Sequence, residues 1–155
     1  MLNKITKIVW NVLLKLANKY RKEAETCLEV GACYAVLVSI RAALEAALLA
    51  RFLLECFNFS EEELKEIGIK IIDDFTLERI EGFYFKLNEL IETIYSLKLI
   101  TKQGRKAAHR IRVWGNKIHA TRVANKNSLP EIGKRSVKAR LKDFDLIINQ
   151  LLRTL

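Results

Sequence analysis

Apolar positions recur three and four residues apart along most of the chain, the spacing of a helix face rather than the alternation of a strand. Ile5, Ile8, Val9, Val12, Leu13 and Leu16 form the stripe of a first helix that runs to about Glu29, where Gly31 breaks it. From Gly31 through Phe57 the chain is apolar on nearly every side and rich in Ala and Leu, as in the innermost helix of a bundle. Asn58, Phe59 and Ser60 make a turn, and Ser60 with Glu63 has the capping-box spacing that starts a short helix at Glu61. Ile80, Phe83, Leu87, Leu90, Ile94 and Leu97 mark the clearest amphipathic helix. Thr101 can cap another that reaches about Val123, and Ser128 with Glu131 offers a second capping box across Pro130. Val137, Leu141, Phe144, Ile148, Leu151 and Leu155 mark the last helix. No repeat or Pro/Gly/Ser-rich linker interrupts the series. The pattern predicts an all-α chain, one domain over residues 1–155, built as an antiparallel helical bundle of four main helices plus a short one.

Composition adds exclusions. The stretch from Gly31 to Phe57 approaches the length of a membrane span, about 20 residues. Arg41, Glu45, Arg51 and Glu55 recur through it, and charges at that frequency are costly in hydrocarbon, so the expectation is a buried core helix and no membrane partner. Residues 1–19 are interrupted by Asn11 and Lys15 where a signal peptide needs an unbroken apolar run. Cys27, Cys33 and Cys56 form no C-x-x-C pair and no disulfide framework. Together these point to a reducing interior and a cytoplasmic location. Two histidines without H-x-x-x-H spacing or a matched cysteine set predict no metal and no other cofactor.

Charge changes the picture more. From Thr101 to Leu155 there are 14 Lys/Arg against 3 Asp/Glu, a balance of +11, whereas the first hundred residues carry 13 against 15, a balance of −2. The whole net charge of +9 therefore comes from the last third of the chain. A one-sided positive field favours a polyanion, either nucleic acid or, as a distant alternative, an acidic membrane surface, although basic residues also serve solubility.

Projected at about 100° per residue, the helix from Thr101 to Val123 places Ala107, Ile111, Trp114 and Ile118 within an arc of about 60°. That is the expected core face. Opposite, Arg105, His109, Arg112, Asn116 and His119 fall within about 80°. Ala108 and Gly115 lie between the faces and leave room for another helix to approach, while the other flank carries Lys106, Arg110 and Lys117. Arg112 and His119 are nearly in register with Asn116 between them, so the three can share one phosphate. Arginine would supply a charged donor fork, asparagine a further donor, and histidine a proton acceptor or donor near neutral pH. A polar helix stripe is often no more than a solvated face. Gly115-Asn116 is the unusual element, because glycine costs about 1 kcal/mol in a helix interior and asparagine is also a poor former.

Leu87-x-x-Leu90-Ile91, followed downstream by Ile111-Arg112-Val113-Trp114-Gly115-Asn116-Lys117-Ile118-His119, resembles the R-x-x-G-N-x-x-H signature of a domain-of-unknown-function branch of the HEPN superfamily. Arg41-Ala42-Ala43-Leu44-Glu45 resembles the R-x-x-L-E element on the second helix of that branch, and the likeness spans roughly residues 28 to 152. It implies a bundle of four or more helices, often dimeric, in which R-x4-6-H residues of two subunits line a metal-independent RNA-cleaving cleft. Arg112 and His119 match that spacing. Active members commonly carry a polar residue directly after the arginine, where this chain has Val113; either Asn116 takes its place or the activity is lost.

The expected catalytic residues are thus Arg112, Asn116 and His119, with Arg105, His109 and Lys117 binding substrate. Arg41 and Glu45, one turn apart, either pair with each other or let Glu45 cross to Arg112 and fix its orientation. Trp114 reads as core, although its ring could also stack on a base. The function expected is an RNA-binding HEPN domain acting as a metal-independent endoribonuclease of a defence or toxin-type system. It would work as a homodimer with its stripes facing one cleft, alongside a cognate antitoxin or partner domain. The alternative is a catalytically inactive nucleotide- or protein-binding module.

Overall fold

Five helices make up the regular structure among the described residues: α1 (Leu2–Glu29), α2 (Cys33–Glu55), α3 (Leu87–Ser96), α4 (Lys102–Lys117) and α5 (Lys134–Arg153). There is no strand among them. The structure, a computed structural model, describes residues 2–56, 60, 62, 86–119, 123, 124, 126 and 128–153, with side chains from residue 10 onward. The short helix expected at Glu61, positions 80–85 of the next stripe and Leu155 lie outside the described residues.

The first boundary falls where expected. Gly31 adopts φ 78°, a left-handed conformation that costs a residue without a Cβ little. The Ala32 N–H donates to the Cys27 carbonyl at 2.8 Å and the Gly31 N–H to Leu28 at 3.1 Å, which satisfies the last carbonyls of α1. The chain then turns back, and α2 packs along α1. On α1, however, Val12 and Leu16 are 58% and 38% exposed. The buried line runs instead through Leu13, Ala17, Tyr20, Ala24 and Cys27, because the methyl-sized Ala17 and Ala24 let α2 approach closely.

α2 is the inner helix, packed against all four others. Its length and composition alone would let it cross a bilayer, yet Leu37, Ile40, Leu44, Leu48 and Phe52 are enclosed by protein. Near its end Arg51 and Glu55 form a buried ion pair one turn apart. Burial lowers the Arg51 pKa against the pull of that carboxylate. Cys27, Cys33 and Cys56 are all free thiols. Burial, then the charge of Glu55, pushes the Cys56 thiol up to about 12.

Leu90, Ile91 and Ile94 of α3, Ala107, Ala108 and Ile111 of α4, and Val137, Phe144 and Ile147 of α5 complete one core. α3 closes on Lys98 at φ 59°, with the Leu99 N–H donating to the Ile94 carbonyl at 3.2 Å. α4 begins on the expected cap, Thr101 Oγ1 accepting from the Gly104 N–H at 3.2 Å. It ends at Lys117 and not near Val123. The His119 N–H bonds back to the Asn116 carbonyl at 3.2 Å, a tightened last turn, and His119 stands outside the helix. Two poor helix formers, Gly115 and Asn116, precede that end.

Ser128 and Glu131 do not start the last helix. Residues 128–133 are not helical, and the Ser136 and Val137 amides donate to the Gly133 carbonyl, which opens α5. The Tyr34 hydroxyl donates to the Pro130 carbonyl at 2.7 Å and ties this segment to α2. That contact and the helix penalty of Gly133 outweigh the capping box.

Candidate functional site

Gly115 is buried, and a Cβ on it would lie 2.8 Å from Arg41 Cδ and 3.4 Å from Arg41 Cβ. The missing side chain is the seat of Arg41. From there Arg41 Nη1 donates to Asn116 Oδ1 at 2.6 Å. A guanidinium has only donors, so the amide oxygen must face it and Asn116 Nδ2 is left to donate elsewhere. Two elements 75 positions apart in sequence are thus one assembly. The costly Gly115-Asn116 pair is the receptor for an arginine of α2.

Beside this assembly runs a groove of about 380 Å³ between α2 and the end of α4. Arg41 and Gly115 form its wall, with Val38, Ala42, Glu45, Ile118 and His119 around it. His119 and Glu45 are exposed. Among the described residues no ion pair joins Glu45 to Arg41 or to Arg112; the Arg41 guanidinium is engaged by Asn116.

Arg112 is drawn the other way. Its Nε donates to His109 Nδ1 at 3.3 Å, and His109 Nε2 lies 2.6 Å from Glu92 Oε1. Since Arg112 can only donate, Nδ1 accepts, and Nε2 carries the hydrogen given to Glu92. Arg105 completes the cluster, its Nε 3.0 Å from Glu92 Oε1 and its Nη2 2.7 Å from Oε2. Partial burial pushes the Glu92 carboxyl up, but the hydrogen bonds from Arg105 and His109, with the charge of Arg105, outweigh it and hold the carboxyl below the usual range. Arg105 also lies over the Tyr95 ring at 4.9 Å.

The polar stripe of α4 is therefore a half-buried seam. Arg105 and His109 gather on Glu92 of α3 with Arg112 bonded to His109, whereas Asn116 bonds to Arg41 of α2 and His119 borders the same groove as Arg41 and Glu45. No family model, curated protein or solved structure matches the chain. What the site can do rests on its own geometry. Glu92 is the residue that the sequence did not single out; its only signal was a carboxylate on the polar side of the α3 stripe.

A second groove, of about 450 Å³, runs along α4 from Arg105 and His109 of the Glu92 cluster to Trp114 and, on α5, Arg140. Asp143 braces it from behind, its Oδ2 and Oδ1 3.1 and 2.5 Å from Arg110 Nε and Nη2. That hydrogen bond raises the Arg110 pKa against partial burial. Arg140 Nε stands 2.9 Å from Asp143 Oδ2 but makes no hydrogen bond, so the contact is Coulombic. Burial lowers the Arg140 pKa, with Asp143 opposing and Arg110 adding to the fall. Trp114 is half-buried against the core; Lys117 Nζ lies 3.7 Å from the centre of its ring and the Arg140 guanidinium carbon 5.6 Å. Lys117 thus covers an aromatic face.

Proposed function

We propose that the chain is an RNA-binding helical domain of the HEPN kind that cuts RNA without a metal, with His119 as the proton-transfer group. The observation that carries this reading is the seating of Arg41 on Gly115, which occupies the Asn116 amide oxygen and leaves its Nδ2 to donate, next to a groove lined by Arg41 and His119. In this reading the Arg41 cation, the Asn116 amide donor and the His119 imidazole serve one phosphate. The last third of the chain, with its balance of +11, supplies the field that draws RNA to it.

In this reading an RNA 2′-oxygen attacks the adjacent phosphorus, and the bond to the 5′-oxygen of the next nucleotide breaks. His119 takes the 2′-hydroxyl proton or gives one to the leaving oxygen, with Glu45 placed for the opposite transfer. Asn116 Nδ2, with Arg41 behind it, stabilises the charge on the phosphorane, and Arg112 contributes through its field. The products are a 2′,3′-cyclic phosphate and a 5′-hydroxyl. A cytoplasmic homodimer in a defence or toxin-type system, with a cognate antitoxin or partner domain, is the setting the resemblance implies.

The catalytically silent binding module is the second reading. It is favoured by Arg112 Nε being engaged by His109, which removes a donor from the phosphate. Incubating the full chain with labelled structured RNA in excess chelator separates the two. Chelator-resistant cleavage that falls by about 10²-fold or more in His119→Ala supports the enzyme. Binding without cleavage establishes the module, and neither binding nor cleavage removes the RNA reading.

A further inference from the structure

The groove between α4 and α5 shares Arg105 and His109 with the expected substrate-binding set but carries further residues that the cleavage reading leaves unused. Besides those two it is lined by Lys102, Lys106 and Arg110 on successive turns of α4, by the apolar Val113 and Trp114, and by Arg140. Lys102 and Lys106 are exposed, and among the described residues neither has a carboxylate in ion-pair reach. Asp143, the carboxylate beneath, is shared between Arg110 and Arg140, so the lining remains positive. A groove of about 450 Å³ falls within the range of small-ligand sites, roughly 300–1,000 Å³.

We propose that this groove takes one nucleotide unit, its base laid on Trp114 and Val113 and its phosphates held by Lys102, Lys106 and Arg110. The inference deepens the RNA reading and rests on it for the source of that unit, one position of a bound single strand. Lys117 does not line the groove; its ammonium sits on the tryptophan ring by a cation–π contact, on a flexible stem that can reach toward a phosphate held beside it. An acidic peptide would satisfy the cations but has nothing to lay on Trp114 and Val113; a nucleotide serves both, because every base has a π-face and a phosphate beside it.

Trp114 supplies a local readout. The full chain with Trp10→Phe retains tryptophan only at position 114, and an unlabelled pyrimidine or adenine oligoribonucleotide is titrated into it while affinity is followed separately by anisotropy. Saturable quenching of Trp114, with Trp114→Leu weakening binding about tenfold, is the expected result. Lys102→Gln with Lys106→Gln, two exposed changes that leave the core intact, should weaken binding and lessen its salt dependence. RNA binding without quenching, and with unchanged affinity in both variants, overturns the subsite while leaving the RNA reading standing. Quenching by adenosine monophosphate in a chain that binds no RNA supports the groove as a free-nucleotide site and removes the RNA reading alone. If polyglutamate binds and neither RNA nor nucleotide quenches, the nucleotide assignment fails in favour of an acidic partner.

Discussion

At Gly115 an added methyl group would improve helix propensity by about 1 kcal/mol but would lie 2.8 Å from Arg41 Cδ. Arg41 would have to leave, and its charge-assisted bond to Asn116 is worth about 1.5–3 kcal/mol. Gly115→Ala should therefore lower stability by only about 1 kcal/mol in urea unfolding, yet cost RNA binding or cleavage tenfold or more, because Asn116 loses its orientation. Unchanged activity would show that the Arg41 seat is packing only. Glu92 gives the matching pH test. Its carboxyl is held below the usual range in the folded state, so the stability it contributes is complete above its unfolded pKa and is lost as the pH falls through the folded value. Glu92→Gln should be less stable near neutrality and show a shallower decline on acidification, read as urea midpoints from pH 7 down to pH 3. An acid profile parallel to that of the parent would mean that Arg105 and His109 do not depend on Glu92. Where the polar stripe would point was not legible at this scale: helical projection put His119 in register with Arg112, but α4 stops at Lys117.

At the scale of elements, the α1–α2 turn depends on Gly31. A Cβ there would meet Lys134 Cε at 3.5 Å, an ordinary contact, so Gly31→Ala has only the left-handed backbone at φ 78° to overcome. A cost of about 1 kcal/mol, near 3 °C in Tm for a chain of this size, is expected from thermal unfolding. A larger loss would mean that the turn repacks Lys134. Helix existence was legible throughout the described residues because three-and-four spacing survives any neighbour. Helix faces and ends were less so. In α1 two registers compete, and the sequence favours Val12 and Leu16 by their hydrophobicity. Packing chooses Ala17 and Ala24 by their size, because a close crossing of α2 excludes larger side chains.

For the whole molecule the strong lever is charge. If α4 and α5 contact phosphates, log affinity should fall linearly with log salt, with a slope of about −0.7 for each single-strand phosphate engaged. Replacing the exposed Lys134, Arg135 and Lys138 by Gln should make that slope shallower; the same slope and affinity would leave these residues as solubility charges. Self-association belongs to this scale too. Ala108 and Gly115, the small residues that leave room for another helix to approach, are already closed within the chain, Gly115 by Arg41, and so offer nothing to a second copy. A homodimer must then seal through other apolar surface, of which Tyr34 and Val38, 43% and 57% exposed near the α2–α4 groove, are the nearest. Sedimentation should find a micromolar dimer that Val38→Asp dissociates and Lys106→Gln does not. A monomer throughout would end the two-subunit cleft.

The sequence by itself determined that the chain is helical, that Gly31 divides the first two helices, that Thr101 opens α4, and that positive charge gathers in the last third. These follow from local periodicity, backbone preference and counting, which need no knowledge of what packs where. It also marked Gly115-Asn116 as anomalous without showing the cause. Only the tertiary structure decided that Arg41 fills the space above that glycine, that Arg112 turns to His109, which is itself held by Glu92, and that Trp114 lines a cationic groove. The physical reason is that a buried polar side chain must find a partner, and the partner's place in the sequence is fixed by how whole helices pack, not by the spacing of residues on either one.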